Sequence, residues 1–245
     1  MKPIVTDEWS AELAEAVREF WRTRQDQARK QHEQGRRDQG SRAAVTGGAQ
    51  MNGFIALFRQ VLSAAGVPRE CIFTDARVNV QLPGYFRPTK EWDLVVVVKD
   101  QLVVAVEAKS HIGPSFGNNF NNRTEEAMGS AVDLWTAFRE GAYNSTVRPW
   151  LGYLLVLEDC PASQRPVKPK EPHFKVFPEF SSASYAGRYE LFCRRLVRER
   201  QYDAACLLMS DSERGVLGTC TQPAQDLTFK VFARALAAHA SAYAT

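Results

Sequence analysis

Glu-Trp-Asp-Leu-Val-Val-Val-Val-Lys-Asp-Gln-Leu-Val-Val-Ala-Val-Glu-Ala-Lys-Ser, residues Glu91 to Ser110, holds two apolar, mostly β-branched runs, Leu94–Val98 and Leu102–Val106. The polar Lys99-Asp100-Gln101 between them predicts a tight hairpin of two strands buried on both faces, as in the middle of a sheet. A sheet centre excludes bare charge, because an unpaired ionised group out of water costs several kcal/mol. Yet Asp93 opens the first strand, and Glu107 and Lys109 close the second.

Strand alternation puts Glu107 and Lys109 on one face. A hairpin centred on Asp100, with Val98 facing Leu102, sets Asp93 opposite Glu107. A two-residue turn at Lys99-Asp100 would instead set Asp93 against Val106, with the two acids on opposite faces. In the first register two carboxylates and an ammonium converge, and a hard divalent cation such as Mg²⁺ relieves the repulsion between the acids. A structural ion pair between Asp93 and Lys109 is the plainer alternative. Glu107-Ala108-Lys109 is the only acid-x-Lys triplet in the chain.

The 245 residues suffice for a sizeable core, and 44% hydrophobic with 24% charged residues is ordinary for a globular protein. The expected organisation is one domain over 1–245: a helix and basic arm (1–50), a core (51–157) and a C-terminal extension packed on it (158–245). No apolar stretch approaches the roughly 18 residues of a membrane helix and no secretory signal opens the chain, so a cytoplasmic protein with no membrane partner is expected. Cysteines at 71, 160, 193, 206 and 220 include no Cys-x-x-Cys, which argues against a disulfide framework or zinc site. Net charge is only +3, so local distribution must decide any nucleic-acid role.

Trp9, Leu13, Val17, Phe20 and Trp21 recur at helical spacing, predicting a helix from Thr6 to about His32. Its stripe stops at Trp21, and Arg22 to Arg42 carries seven Arg or Lys against three Asp or Glu. A phosphate-binding arm and a solvated surface are both compatible with that run. Thr46-Gly47-Gly48 follows, where glycine permits positive φ and close approach to a ligand. Met51–Ala65 reads as a core helix and Cys71–Leu82 as a strand. After the hairpin, Gly113–Asn122 reads as a loop, and a helix opens at Asn122 with Glu125 completing a capping box. That helix runs to about Glu140 with Met128, Val132, Trp135 and Phe138 on its apolar face. Glu125 and Glu126 fit its dipole first and a site second. Trp150–Leu157 is a buried strand, giving the order helix, strand, strand, strand, helix, strand. A Pro-rich loop with Lys168 and Lys170, a helix near 184–200, strands near 204–209 and 216–220, and a last helix from about 225 complete the chain. The four histidines match no metal or triad spacing, and His111 reads as a bystander.

An acid opening one core strand and acid-x-Lys ending the next resembles the PD-(D/E)XK nuclease superfamily, whose αβββαβ core matches the element order. The whole chain is similar to type II restriction endonucleases of the XhoI family. The likeness rests on Asp38-Gln39-Gly40-Ser41-Arg42-Ala43-Ala44-Val45-Thr46-Gly47-Gly48, on Glu91-Trp92-Asp93 with Val106–Ser110, and on Gly113-Pro114-Ser115-Phe116-Gly117-Asn118-Asn119-Phe120-Asn121-Asn122-Arg123. Trp92 replaces the proline common before the aspartate, a position that ligates nothing. The resemblance implies an α/β fold with a mixed sheet flanked by helices. It also implies a homodimer cutting both strands of CTCGAG to leave 5′ overhangs with 5′-phosphates, beside a protecting methyltransferase. Asp93, Glu107 and the Ala108 carbonyl would bind Mg²⁺, and Lys109 would position water and phosphate. Expected DNA contacts are Arg36, Arg37, Arg42, Thr46, Gly47, Gly48, Asn118, Asn119, Asn122, Arg123, Lys168 and Lys170. A repair or structure-specific nuclease and a non-catalytic DNA-binding module are the competing classes.

Overall fold

The computed structural model describes residues 9–33, 48–74 and 79–244. β-branched and leucine-rich segments build a five-stranded sheet in the order β1 (Ile72–Phe73), β4 (Leu94–Val98), β5 (Gln101–His111), β6 (Trp150–Glu158), β7 (Ala204–Ser210). A separate two-stranded hairpin, β2 (Gln81–Pro83) and β3 (Thr89–Glu91), lies between β1 and β4 in the chain. The sheet is mixed: β1 with β4 and β4 with β5 pair antiparallel, whereas β5 with β6 and β6 with β7 pair parallel.

Both faces of the sheet are covered, as parallel strands require. On one face α1 (Ser10–Glu33), α2 (Asn52–Ala64) and, near the C-terminus, α6 (Phe229–Ala240) supply Phe20, Phe54, Phe58 and Phe232 against Val96, Val104 and Leu154. On the other, α3 (Phe116–Arg139) and α5 (Tyr185–Arg198) supply Ala131, Leu134, Tyr189 and Phe192 against Val95, Ala105 and Leu155. The short α4 (Pro161–Gln164) lies in the Pro-rich connection, and Ser184 caps α5 by accepting from the Gly187 N–H. The expected αβββαβ order is present, with the β2–β3 hairpin as an insertion.

Several sequence expectations need correction. Cys71–Leu82 is not one strand: β1 ends at Phe73, and Gln81–Pro83 pairs with Thr89–Glu91 instead. Helix α3 begins at Phe116 behind Ser115, not at Asn122, so the Gly/Asn-rich run is helical from Phe116 on. Its buried face is Ala127, Ala131 and Leu134, while Met128 and Val132 are exposed; small residues let the helix sit close to the sheet. Val216–Cys220 is no strand but a 3₁₀ turn at Gly215–Leu217 followed by a single bridge from Thr221 to Met209. Helix α1 starts at Ser10, and the Thr6 cap lies outside the described residues.

The hairpin itself corrects the argument about register. Its turn is the two-residue Lys99-Asp100, both at positive φ, and Val98 pairs with Gln101 rather than Leu102. Positive φ at both central residues is the turn geometry that matches strand twist. A β-bulge then restores the other register: Val97 pairs with Leu102 but Val96 pairs with Val104, leaving Val103 as the extra residue. Val103 and Val104 both face the α1–α2 side, so Ala105 and then Glu107 return to the α3 side. Beyond the bulge Leu94 pairs with Val106, and Asp93 falls on the same face as Glu107. A turn and a bulge together produce the juxtaposition that a longer loop was expected to give.

Candidate active site

Where β4 begins and β5 nears its end, the ladder leaves the Asp93 N–H donating to the Val106 carbonyl at 3.1 Å. The Asp93 side chain turns inward, and its Oδ2 accepts from the Ala108 N–H at 2.7 Å. Glu107 is almost wholly buried, at 1% exposure. Its Oε1 accepts from Lys90 Nζ at 2.9 Å and lies 3.1 Å from Lys109 Nζ. The Tyr202 hydroxyl stands 3.1 Å from both Glu107 Oε2 and the Ala127 carbonyl, one proton between two acceptors. Lys90 also lies over the Trp92 ring, 4.6 Å from its centroid. Two carboxylates and two ammonium groups form this knot, and their formal charges cancel.

The electrostatics drive the two acids apart. Burial would raise Glu107, but the ammonium groups of Lys109 and Lys90 outweigh it and hold the carboxyl below its ordinary range. Asp93 goes the other way: desolvation raises it despite Lys109 and the Ala108 N–H, and the Glu107 charge adds to the rise. Lys109 loses by burial but gains more from Glu107 and Asp93, so its pKa is raised and it stays an ammonium. A pair of acids in one site with opposed shifts is the pattern of functional carboxylates.

The knot forms part of the wall of a cleft of about 600 Å³, lined also by Phe86, Arg87, Arg123, Glu125, Glu126, Val132 and Asp133. Four cationic side chains (Arg87, Lys90, Lys109, Arg123) face four anionic ones (Glu107, Glu125, Glu126, Asp133) across it. The carboxylate oxygens of Asp93 and Glu107, with the Ala108 carbonyl, could serve as donors to a hard cation that keeps several waters. Among the described residues no group of three or more His, Cys, Asp and Glu side chains is placed to hold a metal ion, so a cation here would rest on two carboxylates and other oxygens.

Other expected residues are scattered. Asn118, Asn119 and Asn122 lie on the first turns of α3, and Arg123 reaches the cleft and pairs with Glu126. Lys168 and Lys170 are exposed on the Pro-rich loop and line no part of the cleft. Gly48 has φ +59° with open space around it. Arg36, Arg37, Arg42, Thr46 and Gly47 lie outside the described residues. His111 is buried and spends Nδ1 on the Tyr189 hydroxyl at 2.7 Å; burial pulls its pKa down to about 4, so it is a neutral core residue at pH 7. Sequence reasoning missed Lys90 and Tyr202. Lys90 depends on the unrecognised β2–β3 hairpin, and Tyr202 reaches Glu107 from 95 positions away.

An α/β fold with a mixed sheet, carrying an acid at the start of one core strand and acid-x-Lys at the end of the next, defines a restriction-endonuclease-like protein. The family model for "Restriction endonuclease XhoI" matches residues 30–222, and the chain belongs to that family. It is 54% identical over 208 residues to the type II restriction enzyme BstVI of Geobacillus stearothermophilus, covering 83% of this chain and 92% of that one. It is 48% identical over 181 residues to the type II restriction enzyme XhoI of Xanthomonas vasicola, covering 74% and 72%. The type II restriction enzyme AbrI of Azospirillum brasilense is 47% identical over 168 residues, covering 69% and 75%. No solved structure matches the chain. The protein is a type II restriction endonuclease, an enzyme that acts on DNA.

Proposed function

We propose that the protein hydrolyses both strands of double-stranded DNA at CTCGAG with Mg²⁺, leaving 5′ overhangs and 5′-phosphate ends. A single endonuclease domain does so as a homodimer, because a palindrome presents two equivalent half-sites to a two-fold assembly. It acts in the cytoplasm, where a methyltransferase of the same specificity protects the host sites. The observation that carries the hydrolytic reading is the convergence of Asp93, Glu107 and Lys109 on one face of β4–β5, with Glu107 and Lys109 lining a cleft, in a chain of this family.

Asp93, Glu107 and the Ala108 carbonyl would hold the cation. When bound, a divalent ion lowers the pKa of a water and offsets charge developing on the phosphate. The Ala108 N–H fixes Asp93, and Tyr202 fixes the far oxygen of Glu107. Lys109, kept protonated by its two acids, orients the attacking water and the scissile phosphate. Lys90 shares Glu107 Oε1 with Lys109 and would compete there with a bound cation. Displaced from Glu107, it would be available to a phosphate.

The charges lining the cleft balance, so net attraction to DNA must come from elsewhere. The arm from Arg22 to Arg42, with Arg36, Arg37, Arg42 and the stretch Thr46-Gly47-Gly48, supplies it. Asn118, Asn119, Asn122 and Arg123 add contacts near the cleft, and Lys168 and Lys170 add them farther out. The test is digestion of two plasmids differing only by one CTCGAG site, with Mg²⁺ or with EDTA, and sequencing of the ends. Linearisation of the site-bearing plasmid in Mg²⁺ alone is expected. Cutting at another sequence overturns the target, and no cutting in any divalent ion overturns the mechanism.

A further inference from the structure

At the tip of the β2–β3 hairpin, residues Gly84 to Pro88, two large rings stand in water: Tyr85 is 55% exposed and Phe86 70%. Exposed aromatic pairs usually belong to slack loops, but this tip is held from several sides. Asp133 of α3, itself 3% exposed, accepts from the Tyr85 N–H at 2.7 Å and the Phe86 N–H at 2.8 Å through Oδ1. Its Oδ2 accepts from Arg87 Nε at 2.7 Å. The Tyr143 hydroxyl donates to the Pro83 carbonyl at 2.6 Å, and the Gly84 N–H reaches the Pro88 carbonyl at 3.3 Å. Gly84 is required by this closeness, since a Cβ there would stand 2.4 Å from Asp133 Oδ2 and 2.7 Å from the Arg87 carbonyl oxygen. The two rings meet edge to face, centroids 5.1 Å apart. A buried carboxylate, a glycine and a tyrosine are committed to presenting two apolar side chains to solvent.

The position of the tip says what meets them. Phe86 and Arg87 line the same cleft as Glu107 and Lys109, and Lys90, on the same hairpin, touches Glu107 directly. DNA that sets a phosphate beside Lys109 therefore passes over this tip. We propose that Phe86, braced by Tyr85 and aimed by Asp133, packs against the face of a base next to the scissile phosphate, making the hairpin tip a substrate-contacting and specificity-determining element. This rests on Asp93, Glu107 and Lys109 being the hydrolytic centre. A rigid backbone under the ring matters because base–aromatic stacking is strongest when no loop must be ordered on binding. Asp133 is a positioning residue.

The test uses the full chain and a CTCGAG duplex in Ca²⁺, read by binding and by fluorescence of 2-aminopurine replacing the adenine of the site. Phe86→Ala should weaken binding roughly 5- to 100-fold, and Phe86→Trp should restore it. Asp133→Asn, which keeps one acceptor but sets an amide against Arg87, should fall between. The 2-aminopurine signal of the wild-type complex should change on binding and fail to change with Phe86→Ala. Affinity of Phe86→Ala within twofold of wild type, or an identical fluorescence response, overturns the proposal. So does a Phe86→Ala protein that changes its oligomeric state in sedimentation while keeping its DNA affinity, because the rings would then face a second copy. The assay reads binding alone, so a failure of the hydrolytic reading shows separately, as wild-type protein that binds and never cuts in Mg²⁺.

Discussion

Glu107 and Asp133 are both buried carboxylates on the wall of one cleft, and they differ in what holds them. Asp133, on α3, faces two backbone N–H groups and one guanidinium, all from the β2–β3 tip and all at 2.7–2.8 Å. Burial opposes its ionisation, but those donors prevail and its carboxyl lies below the ordinary range. The two backbone donors cannot leave without unmaking the turn. Glu107 faces two ammonium groups on flexible stems, sharing one of its oxygens, and a hydroxyl whose proton is divided between two acceptors. The two ammonium groups can move, whereas Tyr202 is fully buried. Burial therefore does not separate the two carboxylates; the replaceability of their partners does.

The largest effect should come from breaking that difference on the Glu107 side. Glu107→Gln removes the charge that a cation needs and should cut plasmid cleavage at least about a thousandfold. Asp133→Asn should leave cleavage within about a factor of a hundred, since it disturbs only the tip. Comparable loss in both, by initial rates in saturating Mg²⁺, would erase the distinction. Asp93→Ala and Lys109→Met should resemble Glu107→Gln while retaining DNA binding in Ca²⁺.

Lys90 gives a finer cut. The Lys90 ammonium, 2.9 Å from Glu107 Oε1, would compete with a cation held by Glu107, and Lys90→Met removes the competitor. Calorimetric titration of Mn²⁺ into DNA-free protein should show binding tightened by about tenfold in Lys90→Met, while cleavage falls because a phosphate contact is gone. Unchanged or weaker Mn²⁺ binding would mean that Lys90 supports the site rather than occupying it.

Much of this was legible in the chain. β-branched runs between polar turns located β4 and β5, because strands buried on both faces admit little else, and Asp93, Glu107 and Lys109 stood out as charges where none should be. The register was harder: residues 99 and 100 predict the turn only if a bulge is expected three residues later, and Val103 looks like any other valine in an apolar run. Lys90, Tyr202 and Asp133 were invisible because each acts across a contact far along the chain. The short β2 and β3 carry no run long enough to show alternation. On α3 the heavier stripe of Met128 and Val132 suggested a buried face, whereas close packing chose the alanines. Gly84 could have been noticed, but a glycine after proline reads as an ordinary turn.

Stability sharpens the comparison from the other side. Asp133→Ala strands the Tyr85 and Phe86 N–H groups and frees Arg87, and should lower unfolding stability by about 1–3 kcal/mol in urea. Phe86→Ala removes an exposed ring and should change it by no more than about 0.5 kcal/mol. A Phe86→Ala variant as unstable as Asp133→Ala would show that the rings pack rather than project.

The smallest expected effect is on how stability depends on pH. Asp133 has a folded-state pKa below its unfolded one, so its contribution is fully present above about pH 4 and is lost as the pH falls through the lower, folded value. In that acid window the unfolded chain binds a proton that the folded one refuses. Asn cannot ionise, so Asp133→Asn should flatten the fall in stability below about pH 4 while leaving the slope above it unchanged. The readout is the urea midpoint measured from pH 7 to pH 3 in both proteins, taken as a difference so that Glu107, which is also depressed, cancels. A difference that stays constant across the acid range would mean that the hairpin tip is held by shape rather than by charge.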